Sequence, residues 1–370
     1  MISVTSMTAT TAVPASRLRE IRRRRSPTVS VVIPCYNYGA FLPACVESVV
    51  AQRGVEVRVL IIDDASRDDS AAVAETLAQR HSEVTVRRHT SNRGHIATYN
   101  EGLLEWADGD YVVLLSADDR LAAGSLARSV ELMEQRPDVG MVYGRTVKFA
   151  DDRELPRRAR PVRGTRVWTA GQWFAEHCKD TRNVVQTPSV VVRTSVQHAV
   201  GGYRPELPHA GDFDMWLRIA AKYGIGRVWG HTQAYYRVHP TSMSTAVYHE
   251  ALSDVRQRKM VLDRVLSEHA DAVRRHHVRP QTAYRMLASE LLWNACRAYE
   301  NGTVDQVPLD EWISFARETY PPVQRLRAFR ALLRRQRMGE ELCRRTHLFA
   351  GTAAVLFVRH ALWWARWYGL

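Results

Sequence analysis

The chain has 370 residues, 45% of them hydrophobic and 25% charged, a composition typical of a soluble globular protein with room for roughly two domains. Its five cysteines are scattered, without a C-x-x-C pair or a Cys/His cluster, which argues against structural zinc and favours a reducing compartment. The formal net charge of +13 predicts attraction to anionic partners such as diphosphates, phospholipid headgroups or nucleic acid.

Between residues 29 and 143, strand-like and helix-like segments alternate. Short β-branched runs predict strands at 29–34, 57–62, 84–88, 111–115 and 139–143. Apolar residues at helical spacing predict helices at 40–52, 70–80, 96–106 and 121–135. This alternation indicates βαβ units, and therefore an α/β fold with a mainly parallel, Rossmann-like sheet that has helices on both faces.

Beyond residue 143 the pattern loosens. We expect a charged loop at 150–166, a strand at 190–193, a helix at 212–222 and an edge strand at 234–238. From Tyr248 onward the pattern is helical, with Arg and Leu throughout. The sequence thus divides into an α/β domain at 27–245 and a helical, basic C-terminal region at 246–370.

Basic residues are concentrated near both ends of the chain. Residues 1–26 contain an arginine run and lack the apolar core of a secretory signal, so we interpret them as a disordered basic tail. Residues 348–358 are uncharged but too short to span a bilayer, and the aromatics that follow suit a membrane interface or the packing of a dimer. The segment before these residues contains only two acids, Glu340 and Glu341. It contains eight arginines: Arg325, Arg327, Arg330, Arg334, Arg335, Arg337, Arg344 and Arg345. The aromatics are Trp363, Trp364, Trp367 and Tyr368.

Acidic residues follow the second and fourth predicted strands. Asp63 and Asp64 end the second strand, and Asp118 and Asp119 follow the fourth. Ligands of open parallel sheets bind at the carboxyl ends of the strands, where two acidic clusters repel each other unless a cation or a hydrogen-bonding ligand separates them. A single Asp at such a place often caps the next helix instead, but paired acids at both strand ends favour a binding site.

Four segments, in this order, resemble the signature of family 2 glycosyltransferases with the GT-A fold. They are Val29-Ser-Val-Val-Ile-Pro-Cys-Tyr-Asn37, Ile61-Ile-Asp-Asp-Ala-Ser-Arg-Asp68, Asn92-Arg-Gly-His95 through Asn100, and Leu114-Leu-Ser-Ala-Asp-Asp119. The resemblance covers residues 28 to about 240. It implies an inverting transfer of a sugar from a nucleoside-diphosphate sugar to the hydroxyl of a glycan, a lipid-linked acceptor or a small molecule.

The resemblance also implies which residues bind the donor nucleotide. Asp63 or Asp64 would accept a hydrogen bond from the nucleobase, while its neighbour supports the turn. The other residues would line the base and ribose pocket (Pro34, Tyr36 and Asn37) or border the diphosphate and the donor sugar (Asn92, Gly94 and Asn100).

A divalent metal, Mg²⁺ or Mn²⁺, is implied by the same resemblance. Asp118 matches the second acid of the family's D-x-D motif, but Ser116 stands at the first, and a hydroxyl is a poorer ligand for a hard cation than a carboxylate. Farther along, Arg237 is expected to pair with phosphate oxygens. His239 would be a metal ligand or a diphosphate contact, although a lone histidine is as often a hydrogen-bonded structural residue.

The segment Ala210-Gly-Asp-Phe-Asp-Met-Trp-Leu-Arg218 resembles the part of the family that carries the catalytic base. Phe213 and Trp216 fall on the buried face of a predicted helix, which leaves Asp212 at its start. Asp212 is therefore expected to be the general base for the acceptor hydroxyl, with helix capping as the alternative. Asp214 and Arg218 form an i, i+4 pair that would add only about 0.3 kcal/mol if exposed.

Other functions fit the sequence less well. A nucleotidyltransferase needs a glycine-rich loop after the first strand, but Cys35-Tyr-Asn-Tyr-Gly-Ala40 has one glycine, and the G-x-G-x-x-G of dinucleotide oxidoreductases is missing. No recognised nucleic-acid motif is present, so specific nucleic-acid binding is not expected. A nucleotide-, membrane- or nucleic-acid-binding protein without transferase activity is the remaining alternative. We expect a cytoplasmic enzyme of cell-envelope or polysaccharide biosynthesis that contacts the inner face of the cell membrane peripherally.

Overall fold

The computed structural model describes residues 26–156, 163–239 and 251–345, together with Ala361. These residues form a nine-stranded sheet with helices packed on it, followed by a set of further helices. The predicted basic tail up to residue 25, the domain boundary near residue 245 and the tryptophan-rich end of the chain lie outside the described residues.

The first half of the sheet is parallel, as the alternating pattern predicted. Strand β1 (Thr28–Cys35) lies between β2 (Glu56–Asp63) and β4 (Tyr111–Leu114), and β3 (Val84–Arg88) pairs with β2. Helices α1 (Leu42–Val50) and α2 (Ser70–Arg80) connect these strands. Because β1, β2 and β4 run in the same direction, the loops that follow them gather at one edge of the sheet.

The helix predicted at 96–106 is divided into two parts. An α-helix, α3 (His95–Asn100), continues into a π-helix at Glu101–Trp106. Gly102 in the π-helical part lies directly against β1, because a Cβ atom at this position would be 2.2 Å from Cγ1 of Val32. The missing side chain therefore lets this segment approach the central strand closely.

The second half of the sheet is mixed. Strand β4 pairs antiparallel with β8 (Val191–Arg193), β8 pairs antiparallel with β6 (Val139–Phe149), and β6 pairs parallel with β9 (Gly224–Arg237). The prediction of an edge strand at 234–238 was wrong, because β9 has 14 residues and neighbours on both sides. β7 (Gly164–Trp168) pairs with its first half and β5 (Arg120–Leu121) with its second.

Two further predictions in this half need correction. Strand β7 begins at Gly164, within the stretch 150–166 that was expected to be a loop, because five residues that include a glycine and an arginine show no strand pattern until they pair with β9. The helix expected at 121–135 begins later, as α4 (Ser125–Gln135). Gly124, in the left-handed conformation with φ of 69°, separates it from β5.

The remaining helices pack onto the sheet and onto one another. One hydrophobic core joins the sheet to four of these helices, through residues that include Trp173, Phe213, Leu262 and Leu291. No helix in the described part of the chain is both long and apolar enough to cross a membrane. The helices are α5 (Gln172–Asp180), α6 (Thr194–Val200), α7 (Gly211–Lys222), α8 (Ala251–Glu268), α9 (Ala270–Arg275), α10 (Pro280–Asn301), α11 (Leu309–Thr319), α12 (Arg327–Met338) and α13 (Glu340–Arg345).

The close contact between Gly102 and Val32 leads to a prediction about stability. Gly102→Ala is expected to lower the free energy of unfolding by about 1–3 kcal/mol, because the added methyl group overlaps with Val32. Urea denaturation of Gly102→Ala, Val32→Ala and the double variant measures the coupling between the two positions. Since Val32→Ala provides the missing space, the double variant should lose less than the sum of the two single losses; strict additivity would contradict the contact.

Candidate active site

A cleft of about 800 Å³ opens at the carboxyl ends of β1, β2 and β4. Its walls come from the loops after these three strands, from the start of α3, from the turn at residues 187–188 and from the start of α7. Asp64, Asp118 and Asp212, which are far apart in sequence, all line this cleft. The structure therefore brings the three predicted acidic positions to one cavity.

The loop after β1 forms one wall of the cleft. Pro34, Tyr36 and Asn37 all line it, and the Tyr36 side chain is 40% exposed. Asn37 adopts a left-handed backbone conformation with φ of 59°, and its Oδ1 accepts a hydrogen bond from the backbone N–H of Arg67 at 2.7 Å. Asn37 thus ties the loop after β1 to the loop after β2, in addition to facing the cavity.

Asp63 is the last residue of β2 and Asp64 follows it, and of these two acids only Asp64 lines the cleft. Its carboxylate accepts hydrogen bonds from the backbone N–H groups of Arg93 at 2.7 Å and Gly94 at 2.9 Å. Asp63 is wholly buried, and Nε of Arg88 lies 3.5 Å from its Oδ2. The structure therefore argues against a nucleotide contact by Asp63 and leaves Asp64 as the acid that can face a base.

A buried histidine, His89, supports Asp64 from behind. Its Nδ1 lies 2.7 Å from Oδ1 of Asp64, and its Nε2 lies 3.0 Å from Oε2 of Glu101. The sequence does not single out His89, because a histidine directly after a short strand belongs to no motif. Burial opposes the ionised form of Glu101, but hydrogen bonds from His89 and Arg87 outweigh it and lower the pKa of Glu101.

The three residues expected near the diphosphate separate into two groups. Asn92 and Gly94 line the cleft, and Gly94 has φ of 82°, which favours glycine. Asn100 does not line it. Its side-chain amide instead donates to the carbonyl oxygen of Tyr203 at 2.8 Å and accepts from the Tyr203 N–H at 2.6 Å. Asn100 is therefore a support for the Tyr203 loop rather than a donor contact.

Asp118 and Asp119 are adjacent buried carboxylates on the cleft wall. Nε2 of His239 lies 3.1 Å from Oδ2 of Asp118, and Oδ1 of Asp119 accepts a hydrogen bond from the backbone N–H of Arg237. Burial raises the pKa of Asp118, and burial together with the neighbouring Asp118 raises that of Asp119 well above its usual range.

Arg237 does not line the cleft, which corrects its expected role as a phosphate contact. Its guanidinium group lies between the rings of Phe41 and Phe149 and donates to the carbonyl oxygen of Asp118 at 3.2 Å and to Asp152 at 2.8 Å. A guanidinium group with these partners braces the acidic loop after β4 and has little freedom to reach a ligand.

The donor atoms beside the cleft fit a divalent cation only in part. No group of three or more His, Cys, Asp or Glu side chains in the described residues has the arrangement of a metal site. Asp118 and Asp119 nevertheless line the cleft, and His239, which does not line it, contacts Asp118 from beside it. Mg²⁺ commonly binds through one or two carboxylates plus substrate phosphates, so this pair fits an ion whose coordination a diphosphate completes.

Asp212 lies in the first turn of α7 but does not cap it. The N-cap residue is Ala210, and no side-chain cap hydrogen bond forms. The Asp212 carboxylate instead accepts hydrogen bonds from the hydroxyl groups of Thr187 and Tyr203. Burial raises the pKa of Asp212, and these two hydrogen bonds limit the rise. A carboxylate with a raised pKa that faces a cleft suits a general base.

A buried ion pair holds the loop that carries Tyr203. Nε of Arg218 donates to Asp214 at 2.8 Å, and the same guanidinium group donates to the carbonyl oxygens of Val200 and Gly202. Asp214 is fully buried, so this pair is not the exposed, weak interaction that its helical spacing alone suggested. Asn100 and Arg218 together fix the backbone on both sides of Tyr203, and thereby its contact with Asp212.

The sequence does not place Thr187, His95 or His209 beside Asp212, although His95 belongs to one of the four family-like segments. Thr187 belongs to a 3₁₀ turn at Thr187–Ser189, and His95 and His209 line the cleft near the same carboxylate. The proline of Thr-Pro-Ser indicates a turn, but nothing in the sequence shows that this turn approaches α7. These positions become recognisable only once the chain is folded.

Comparisons with known proteins find similarity to glycosyltransferases. Residues 30–197 match the family model described as Glycosyl transferase family 2. An uncharacterised protein of Mycobacterium tuberculosis (strain CDC 1551 / Oshkosh) is 30% identical over 209 residues, which are 54% of this chain and 64% of that protein. Glycosyltransferase GlyG of Streptococcus pneumoniae serotype 4 is 28% identical over 119 residues, which are 32% and 39% of the two chains. The chain thus spans less than two thirds of the length of these relatives.

A solved structure of S. aureus TarS 1-349 in complex with UDP-GlcNAc is similar to this chain with a TM-score of 0.57 and 16% sequence identity. The similarity covers 85% of this chain and 90% of the TarS chain. At this identity the likeness concerns the fold, which is the α/β GT-A fold with a helical C-terminal region that the sequence predicted.

The two hydrogen bonds between Asn100 and Tyr203 lead to a prediction. Asn100→Leu removes both while nearly keeping the side-chain volume, so the N–H and carbonyl groups of Tyr203 lose their partner. We expect the free energy of unfolding to fall by about 1–3 kcal/mol in urea denaturation. Asn301→Leu, at an exposed position at the end of α10, is the matched control and should have little effect. Equal losses in the two variants would contradict the bracing role of Asn100.

Proposed function

Residues 30–197 form a domain of glycosyl transferase family 2, and on that premise we propose that the chain is an inverting glycosyltransferase that uses a nucleoside-diphosphate sugar. The observation that carries the proposal is the convergence of Asp64, Asp118 and Asp212 on one cleft. A fold alone is compatible with many activities, so we infer the function from the chemistry that these three carboxylates can perform in one cleft.

Each end of the cleft suits one part of the donor. The loop with Pro34, Tyr36 and Asn37, together with Asp64, would hold the base and ribose, because Asp64 presents a buried acceptor and Tyr36 an exposed ring. Asn92 and Gly94 would border the diphosphate. The TarS structure, which has the same fold, contains UDP-GlcNAc, and this supports a nucleoside-diphosphate sugar as the donor class.

Asp118 and His239 would hold a divalent cation, Mg²⁺ or Mn²⁺, beside the diphosphate. When bound, such an ion neutralises the charge that develops on the leaving group. The protein itself holds Asp118 in position through Arg237. The guanidinium group of Arg237 donates a hydrogen bond to the Asp118 carbonyl oxygen, and its backbone N–H donates one to the Asp119 carboxylate.

Asp212 would accept the proton of the acceptor hydroxyl while the acceptor oxygen forms its bond to the anomeric carbon. The bond from that carbon to the diphosphate breaks in the same displacement, and the diphosphate leaves with the electron pair. One base, with no second group positioned as an enzyme nucleophile among the described residues, predicts inversion at the anomeric carbon. Thr187 and Tyr203 orient the carboxylate for this role.

The proposal predicts separate effects on donor binding and turnover. A panel of nucleoside-diphosphate sugars with Mn²⁺ should contain at least one that raises the melting temperature, since ligand binding stabilises the folded state. With that donor, Asp212→Asn should lower the rate of nucleoside-diphosphate release by about 10²–10⁴-fold and leave the donor Kd nearly unchanged. Asp310→Asn, exposed on α11, serves as the matched control. No stabilising donor, or an Asp212→Asn variant with normal turnover, would contradict the proposal.

A second prediction concerns pH. Asp212 acts as a base only when ionised, so kcat/KM falls as the pH drops through its pKa. Tyr203→Phe removes a hydrogen bond that favours the ionised carboxylate, and therefore raises the pKa of Asp212 further. The acid limb of the kcat/KM profile should move to higher pH, whereas Tyr284→Phe, which loses a hydrogen bond to Asp263 far along the chain, should leave it in place. A shift to lower pH would rule out Asp212 as the titrating base.

A further inference from the structure

Helix α12 presents a row of arginine side chains to solvent. The four side chains recur every three or four residues, so they share one face of the helix. All four are exposed: Arg327, Arg330, Arg334 and Arg337. The opposite face is buried and holds the helix against the rest of the protein: Ala328, Phe329, Leu332 and Arg335. We refer to the four exposed positions as the arginine row.

The arginine row has no acidic partners in the described part of the chain, and this distinguishes it from the other arginines nearby. Arg335, on the buried face, donates from Nε to Glu300 of α10 at 3.0 Å. Arg345 in α13 pairs with Glu341 at 2.7 Å. Arg335, which the sequence grouped with the surface arginines, is therefore part of the core. The row itself keeps four uncompensated positive charges on one surface.

Exposed apolar side chains accompany these charges. Leu333 is 37% exposed and lies three residues after Arg330 and four before Arg337, so it is flanked by guanidinium groups. Leu342 in α13 is 46% exposed. The one aromatic residue of α12, Phe329, is buried, so α12 exposes no ring on which a base could stack.

We propose that the exposed face of α12, the arginine row with Leu333, binds the surface of a membrane rich in anionic phospholipids. Guanidinium groups would contact the phosphate groups, and the leucine would enter the boundary between headgroups and acyl chains. The exposed side chain of Leu333 favours lipid over nucleic acid, because a phosphate backbone provides negative charge but no apolar region in which a leucine can be buried. The sequence that follows α13 is consistent with this partner, since residues 348–358 are uncharged and three tryptophans follow them. This membrane-binding proposal does not depend on the proposed transfer reaction, and it remains valid if the transferase proposal fails.

Cosedimentation with vesicles tests this surface. The chain of 370 residues should bind vesicles of phosphatidylcholine and phosphatidylglycerol, and bind vesicles of phosphatidylcholine alone much more weakly. Replacing all four arginines of the row with glutamine should weaken binding to the anionic vesicles by at least about tenfold. The matched control replaces four exposed arginines of the α/β region with glutamine and removes the same net charge: Arg53, Arg67, Arg80 and Arg163. The control should bind nearly as well as the unaltered chain.

Three outcomes would overturn the proposal. Binding by the row variant at the level of the unaltered chain would show that α12 is not the contact surface. Equal losses in both variants would show that bulk charge alone is responsible. Leu333→Ser separates lipid from nucleic acid, because it should weaken vesicle binding and leave binding to an arbitrary DNA duplex unchanged; strong DNA binding without vesicle binding would assign the row to nucleic acid. Circular dichroism melts confirm that each variant is folded.

Discussion

Two adjacent buried carboxylates at the end of β4 impose the constraint on which the site depends. Asp118 and Asp119 are removed from water, and an unpaired carboxylate in such a place is costly. The protein meets this cost in part through the Arg237 backbone N–H, the Arg237 guanidinium group on the Asp118 carbonyl oxygen, and His239. The negative charge that is left faces the cleft, and it can be satisfied by a cation that arrives with a substrate.

The opposite side of the cleft is organised around a single carboxylate, Asp212, through a chain of contacts. Asp214 holds Arg218, Arg218 holds the carbonyl oxygens on either side of Gly201, and Asn100 clamps the backbone of Tyr203. Tyr203 in turn bonds Asp212. Asp214, Arg218 and Asn100 do not line the cleft, whereas Tyr203 and Asp212 do. The first three residues therefore position Tyr203, and through it the Asp212 carboxylate beside the cavity, which is the geometry that general base catalysis needs.

Much of the parallel half of the fold was predictable because its signals are local. The β-branched runs of β1, β2 and β4 are largely buried, so these strands are recognisable without knowledge of their partners. Strands β5 and β7 and the first part of β9 are not apparent in the sequence, because short, charged or glycine-containing segments become strands only through pairing with distant residues. The π-helix at Glu101–Trp106 likewise depends on close packing of Gly102 against β1.

The same distinction applies to the site. The resemblance to a family identified Asp64, Asp118 and Asp212 as site residues, because each lies at a fixed place in an ordered motif. The structure brings all three to one cleft. It did not distinguish residues that face the cavity from residues that brace it. Asp63, Asn100 and Arg237 have the same chemistry as ligand contacts, but their side chains are directed to Arg88, Tyr203 and the loop after β4. Direction of a side chain is a tertiary property, so residue type and spacing alone do not determine it.

A crystal structure of the protein with a nucleoside diphosphate and Mn²⁺ tests the central claim most directly. The account predicts the base next to Asp64 and the diphosphate beside Asp118 and His239, with Asp212 across the same cavity from the terminal phosphate. A nucleotide bound elsewhere on the protein, or bound in the cleft with its diphosphate directed away from Asp118, would contradict it.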